Sequence, residues 1–79
     1  MSELEQHNAD VQFMKECVTS EVIKLIMEEQ NIGIEEAIHQ FYTSKTFAKL
    51  DNEKTKLYTQ SPVYVLDEYN NEQINSPME

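Results

Sequence analysis

The fold of this chain is decided by residues 10–30, whose sequence is DVQFMKECVTSEVIKLIMEEQ. Apolar residues in it follow one another at steps of three and four: Val11, Met14, Val18, Val22 and Leu25. Residues at this spacing share one face of an α-helix, and no other window of the chain repeats the pattern for as long. We therefore predict a long first helix over about residues 9–30, against which the rest of the chain packs.

Shorter helices are predicted after it, over about residues 34–43, 45–51 and 62–72. The chain of 79 residues leaves no room for a second core. The sequence thus predicts an all-α fold, a compact bundle of about four helices. The predicted divisions are a flexible N-terminus over residues 1–8, a single helical domain over 9–72 and a flexible C-terminal tail over 73–79.

The turns before the second and third helices have recognisable signals. Asn31 or Gly33 can take the left-handed conformation that ends a helix, and Gly33 can also be the N-cap of the second helix. Thr43 and Ser44 are the N-cap candidates for the third. We predict these inward side chains on the second helix: Ala37, Ile38, Phe41 and Tyr42.

The last helix has the clearest start signal in the sequence. Ser61 fits the N-cap, and Pro62 fits the first helical position, where its missing N–H costs nothing. Residues 63–66, VYVL, have strand propensity, but the Ser-Pro start and the lack of a second strand favour a helix. At the other end of the chain, Asn8 or Asp10 is the N-cap candidate for the first helix.

The charge of the chain disfavours nucleic acid as a partner. Fifteen acidic residues against six basic ones give a net charge of −9, and all six basic residues are lysines. A duplex binder needs a basic footprint and uses arginine as its commonest base reader. Acidity suits a basic protein partner or simple solubility. No apolar run approaches the roughly 20 residues of a membrane span, so no membrane association is predicted.

The N-terminal residues MSELEQHNAD are acidic and unlike a secretory signal, and Cys17 is the only cysteine. The chain is therefore predicted to be cytoplasmic and to lack internal disulfides. Cys17 lies beside the apolar stripe and between acidic residues, which favours packing over a nucleophilic role. His39 has acidic neighbours at helical spacing, and a metal site would need more ligands. We predict no catalytic residues, no metal and no cofactor, and therefore no enzyme.

Two groups of residues are candidates for an interaction surface. Phe13, Ile23 and Met27 lie off the main stripe of the first helix, so later helices cover them or a second copy of the chain contacts them. Tyr58, Thr59, Gln60 and Tyr64 lie near the last helix. The tyrosines there either pack at the edge of the core or form a recognition surface. A chain this small has a marginal core, which favours a homo-oligomer or a protein partner.

Residues 57–61, LYTQS, followed by residues 64–69, YVLDEY, resemble the C-terminal signature of a family of short bacterial proteins of unknown function. That signature is Leu-His-Thr-Gln-Ser, then an aromatic-aliphatic stretch, an acidic pair and a closing Tyr. The resemblance implies a compact all-α domain and an antitoxin or accessory role beside toxins similar to ADP-ribosyltransferases. Tyr58 stands where the family has His, and Pro62 follows the Ser, which favours reading Ser61 as a helix cap.

We therefore expect a non-enzymatic, acidic protein-interaction module that associates with itself or with a basic partner, such as a toxin-like protein. One alternative is a small ligand-binding domain that uses residues 58–61. Another is a helix-turn-helix regulator built from the second and third helices. The regulator depends on Lys45, Lys49, Lys54 and Lys56, and the net charge disfavours it.

Overall fold

Four α-helices and two single-turn 3₁₀-helices make up the part of the chain that the structure, a computed structural model, describes. This part is residues 3–75, with side chains over residues 10–74. The α-helices are α1 (Glu3–Gln30), α2 (Ile34–Tyr42), α3 (Lys45–Asp51) and α4 (Pro62–Asn75). The 3₁₀-helices, Glu53–Thr55 and Leu57–Thr59, lie between α3 and α4. The predicted all-α fold, with a long first helix packed by shorter ones, is confirmed.

The outer helices are longer than predicted. Helix α1 begins at Glu3, so neither Asn8 nor Asp10 is its N-cap, and α4 continues to Asn75. Residues 3–9 contain no glycine or proline and include two glutamates, which stabilise the N-terminal end of a helix. The ends predicted to be flexible therefore overlap helix at residues 3–8 and 73–75, and their remaining residues lie outside the described part.

The turn between α1 and α2 is closed by a backbone hydrogen bond. Asn31 takes the left-handed conformation with φ 56°, and the N–H of Ile32 donates to the carbonyl of Met27 at 3.2 Å. This six-residue closure is that of a Schellman motif, and Ile32 packs against the core. Gly33 has φ −76° and is the N-cap of α2. Of the two predicted turn residues, Asn31 ends the helix and Gly33 begins the next one.

Serine side chains cap α3 and α4. The Ser44 hydroxyl accepts a hydrogen bond from the Phe47 N–H at 3.1 Å, and the Ser61 hydroxyl accepts one from the Tyr64 N–H at 3.2 Å. Each bond satisfies one of the N–H groups that a helix leaves without an internal partner. The predicted caps at Ser44 and Ser61 are confirmed.

The core lies between α1, α4 and α2, with Leu50 and Leu57 closing it from α3 and the second 3₁₀-helix. Phe41 is fully buried at its centre, and its ring meets those of Phe47 and Tyr69 edge-on at centroid distances of 5.6 and 5.8 Å. From α1 the fully buried side chains are Val22 and Ile26. Edge-on aromatic pairs of this kind add stability beyond the area they bury.

The buried face of α1 is rotated from the predicted stripe. Met14 was predicted inward but is 40% exposed, whereas Lys15 and Thr19 are buried. Ile23 was predicted off the stripe but is 7% exposed and belongs to the core. Cys17 was predicted to pack beside the stripe but is exposed. Helices α2 and α3 cover the Ile23 side of α1, so the core contact is broader on that side.

None of the helices in residues 3–75 combines the length and the apolar composition that crossing a membrane requires.

Candidate interaction groove

A groove of about 310 Å³ runs between α1 and α2 and is bounded at one end by α3. Its floor and walls are apolar side chains from all three helices: Ile23, Met27, Ile34, Ile38, Tyr42 and Phe47. Along α1 its polar rim contains Gln12, Glu16, Ser20 and Lys24, and Asp51 closes the α3 end. An apolar concavity with a polar rim is the usual form of a binding site.

The exposed wall of the groove comes from the spacing of apolar residues on α2. Ala37 and Phe41 are fully buried and fix α2 against the core. Ile34, Ile38 and Tyr42 are four residues apart and lie on the adjacent face, 56%, 38% and 50% exposed. The prediction that Ile38 and Tyr42 point inward is therefore wrong. The two buried residues Ala37 and Phe41 are enough to pack so short a helix against the core.

Tyr42 is held in place by an aromatic contact. Its ring stacks on that of Phe47 with a centroid distance of 4.4 Å and an interplanar angle of 21°. Phe47 in turn packs against the core, so the stack ties the groove wall to the interior. A side chain that is half exposed yet fixed on one face loses little entropy when a partner covers the other.

The charges lining the groove sum to zero, although the chain carries −9. They are two lysines and two acids: Lys15, Lys24, Glu16 and Asp51. Lys15 Nζ donates to the Asp51 carbonyl at 2.9 Å and lies 3.5 Å from a Glu53 carboxylate oxygen. Lys24 Nζ lies 3.5 Å from a Glu21 carboxylate oxygen. The residues lining the groove therefore carry no net charge, and both lysines have an acidic neighbour just outside it.

Two side chains with clearly shifted pKa values lie outside the groove. Burial raises the pKa of Tyr69, the Glu72 carboxylate raises it further and the Gln30 side chain opposes the shift. The Tyr69 hydroxyl donates to Gln40 Oε1 at 3.1 Å. Burial also raises the pKa of Glu72, but hydrogen bonds from Lys45 and Thr46 outweigh it, and the net shift is downward. Neither group faces a cavity, so both shifts are consequences of packing.

The predicted interaction residues lie on separate surfaces. Ile23 and Met27 both line the groove, the first mostly buried and the second half-buried. Phe13 lies beyond them on α1 and is 66% exposed. Tyr64 is 49% exposed and lines a shallow cavity on α4, of about 430 Å³, that shares no residue with the groove.

Two hydroxyls in the stretch before α4 form hydrogen bonds within the chain. Tyr58 is half-buried against the core, while Thr59 and Gln60 are exposed. The Thr59 hydroxyl donates to the Lys56 carbonyl at 2.6 Å, and the Ser61 hydroxyl caps α4. These hydroxyls therefore complete turns of the chain itself.

Sequence reasoning found only part of the groove. It placed Ile23 and Met27 off the main stripe of α1, but it gave no role to Ile34 or Phe47. The signal was present, because Ile34, Ile38 and Tyr42 repeat at four-residue intervals beside the buried pair Ala37 and Phe41. A helix with apolar residues on two adjacent faces has one face left over for another contact.

Reactive side chains are dispersed in the described part of the chain. Cys17 and His39 are both exposed, on α1 and α2. No group of three histidine, cysteine or acidic side chains in that part converges as a metal-ligand set. Comparison with family models, with curated proteins and with solved structures gave no match. The resemblance to the short bacterial proteins stays a prediction.

Proposed function

We propose that this protein is an interaction module that binds an α-helix of another protein molecule in the groove between α1 and α2. One observation carries the proposal: Ile34, Ile38 and Tyr42 form a row of apolar side chains that the fold positions but leaves 38–56% exposed. Side chains of this kind, next to a concave apolar floor, are what helix-in-groove recognition uses.

The dimensions of the groove suit a helix. Its α1 side extends from Gln12 to Met27, which at about 1.5 Å per residue is about 22 Å, or about four helical turns. A partner helix of that length presents about four to five anchor residues at steps of three and four. Its apolar face would cover the α2 row, and its polar face would remain in water.

The chemistry of the groove favours contact over catalysis. Its two lysines already have acidic neighbours within 3.5 Å, and its floor and walls are mostly apolar side chains. The residues lining the groove carry no net charge, which favours a partner helix that is close to neutral where it contacts them. An antitoxin or accessory role, which the family resemblance implies, is a special case of this proposal.

The alternatives have less support. A ligand site at residues 58–61 would need polar groups directed outward, but the Thr59 and Ser61 hydroxyls bond within the chain. A helix-turn-helix regulator would need a basic surface, but α3 offers only Lys45 and Lys49 in a chain of net charge −9. We therefore assign the function to the groove.

Site-specific photo-crosslinking tests the proposal. Tyr42 is replaced by p-benzoylphenylalanine in the cells that produce the protein, and the matched control carries the same replacement at Val63, which is 67% exposed on α4. We expect irradiation to give a discrete protein adduct from position 42 and much less from position 63. Equal adduct formation from both positions, or none from position 42, would overturn the proposal. The mass of the adduct also shows whether the partner is the same chain.

A further inference from the structure

Helix α1 carries a palindromic row of residues beside the groove. Its members follow one another at steps of three, four, four and three: Phe13, Glu16, Ser20, Lys24 and Met27. At about 100° per residue they all lie within an arc of about 80°, on the side of α1 that borders α2. Phe13 is 66% exposed, and the three middle residues are also exposed. The row is thus a narrow strip centred on a small residue, Ser20.

We propose that the groove is occupied by α1 of a second copy of this chain, antiparallel to the first, with a two-fold axis passing near Ser20. This inference rests on the proposed function and names the partner. When the row of the second copy runs in the opposite direction about Ser20, each residue faces one of opposite charge or of similar polarity. Glu16 meets Lys24 of the other copy, Phe13 meets Met27, and the two small Ser20 side chains meet at the axis.

The spacing of the row allows an antiparallel helix pair with the two rows as its seam. Steps of three and four keep the row on one face of α1, and residues equidistant from the two-fold axis lie at the same height. Serine at the axis allows the helices to approach closely. The seam therefore brings two oppositely charged pairs and two apolar pairs together without any rearrangement of the fold.

Phe13 supplies the anchor for the groove. In this arrangement it reaches the end of the groove formed by Met27 and Ile34, the latter 56% exposed. An aromatic side chain inserted into an apolar pocket is the commonest type of dominant contact in an interface. Each copy inserts one Phe13 and receives one, so the contact is closed and does not continue into a filament.

The charges at this face are compatible with a second copy as the partner. The residues lining the groove are two lysines and two acids, so their charges sum to zero, although each chain carries −9. Charge complementarity across the seam, between Glu16 and Lys24, then fixes the antiparallel register.

Sedimentation equilibrium across the micromolar range tests the oligomeric state. We expect the wild-type chain to reach twice its 9.3 kDa mass. The substitution F13D should raise the dimer dissociation constant by about tenfold or more. The matched control is V63D, since Val63 is 67% exposed against 66% for Phe13, and it should leave the constant unchanged. Circular dichroism confirms that both variants keep their helix content. A wild-type monomer at every concentration, or equal effects of the two variants, would overturn the dimer.

Charge exchange tests the register. E16K and K24E should each weaken the dimer several-fold, because each places two like charges at both pairs. The double variant E16K/K24E restores opposite charges and should recover most of the affinity. In a C17S background, S20C should oxidise to a covalent dimer, while N71C, at an exposed site on α4, should not. Absence of charge rescue together with equal crosslinking at both sites would overturn the two-fold at Ser20.

These outcomes separate the dimer from the wider proposal. A monomeric chain that still gives a discrete photo-adduct with a different protein at Tyr42 overturns the second copy as occupant and leaves the groove as the binding site. A monomeric chain without such an adduct overturns both.

Discussion

The two ends of α3 are held by opposite charges that come from different helices. At the N-terminal end the Glu72 carboxylate, from α4, accepts hydrogen bonds from the Lys45 N–H at 2.8 Å, the Thr46 N–H at 2.9 Å and the Thr46 hydroxyl at 2.8 Å. At the C-terminal end the Lys15 ammonium, from α1, donates to the Asp51 carbonyl at 2.9 Å. An anion at the N-terminus and a cation at the C-terminus both complement the helix dipole.

The two ends of α3 differ in which polar groups would lose their partner if the charged side chain were removed. Thr46 is only 3% exposed, so its N–H and hydroxyl would lose their partner in a place that water reaches poorly. The carboxylates near Lys15, on Asp51 and Glu53, have side chains 68% and 57% exposed and are already hydrated. We therefore expect the cost of losing each charge to depend mainly on the polar groups that its removal leaves without a partner.

Removal of the Glu72 carboxylate should have the largest effect. We expect E72A to lower the free energy of unfolding by about 2–3 kcal/mol, because it leaves buried donors on Thr46 without acceptors. Urea denaturation followed by circular dichroism measures this change. The matched control is E68A, one turn earlier on α4, where the carboxylate lies 3.9 Å from the exposed Lys49 ammonium. That variant should lose no more than about 0.5 kcal/mol, and equal losses would contradict the comparison.

The pH dependence of stability should report the same contact. Against the effect of burial, hydrogen bonds from Lys45 and Thr46 hold the folded pKa of Glu72 below the ordinary pKa of glutamate, so the folded state binds this proton more weakly than the unfolded state. The stabilisation is therefore present above the ordinary pKa of glutamate and is lost as the pH falls through the lower folded pKa. Other carboxylates titrate in the same range, so the informative quantity is the difference between the wild type and E72Q. That difference should shrink on acidification below about pH 4; a constant difference would show that charge at Glu72 is unimportant.

Neither contact was predicted from the sequence, although helix positions were. Apolar spacing located α1, and the serine caps located α3 and α4. The prediction treated only apolar residues as buried. Lys15 nevertheless lies on the buried face of α1, four residues after Val11 and three before Val18. A lysine can fill that position because its methylene stem packs while its ammonium reaches outward. Its acceptor, the Asp51 carbonyl, becomes known only once α3 is placed.

Only part of the groove could be predicted, again because its contacts depend on where a neighbouring helix lies. Met27 and Ile23 were recognised as apolar residues off the main stripe, but whether a helix or a partner covered them depended on how far α2 extends over α1. The fold buries Ile23 and leaves Met27 half-covered. Helical periodicity gives the direction of a side chain on its own helix, and the position of the neighbouring helix decides its exposure.

Replacement of Lys15 should have a smaller effect than that of Glu72. We expect K15M to cost about 0–1 kcal/mol, because methionine keeps the buried stem and the abandoned oxygens are open to water. K15A should cost more, since it also removes the packed methylenes. Equilibrium unfolding of both variants, with K24M as the exposed lysine control, separates the two contributions. A loss from K15M as large as that from E72A would show that the carbonyl end of α3 is as sensitive as the N–H end.

The smallest effect is expected at the pair of Lys49 and Glu68, whose side chains are 60% and 37% exposed and 3.9 Å apart. Lys49 lies in the last turn of α3, but its ammonium faces a carboxylate of α4, and its removal leaves no buried group without a partner. K49A should therefore change the free energy of unfolding by less than about 0.5 kcal/mol, and added salt should not enlarge the difference. If K49A instead matched E72A, a charged side chain would stabilise α3 without any hydrogen bond to its backbone. A negligible effect would assign the stabilisation to side chains that hydrogen-bond the backbone N–H and C=O groups lacking partners within the helix.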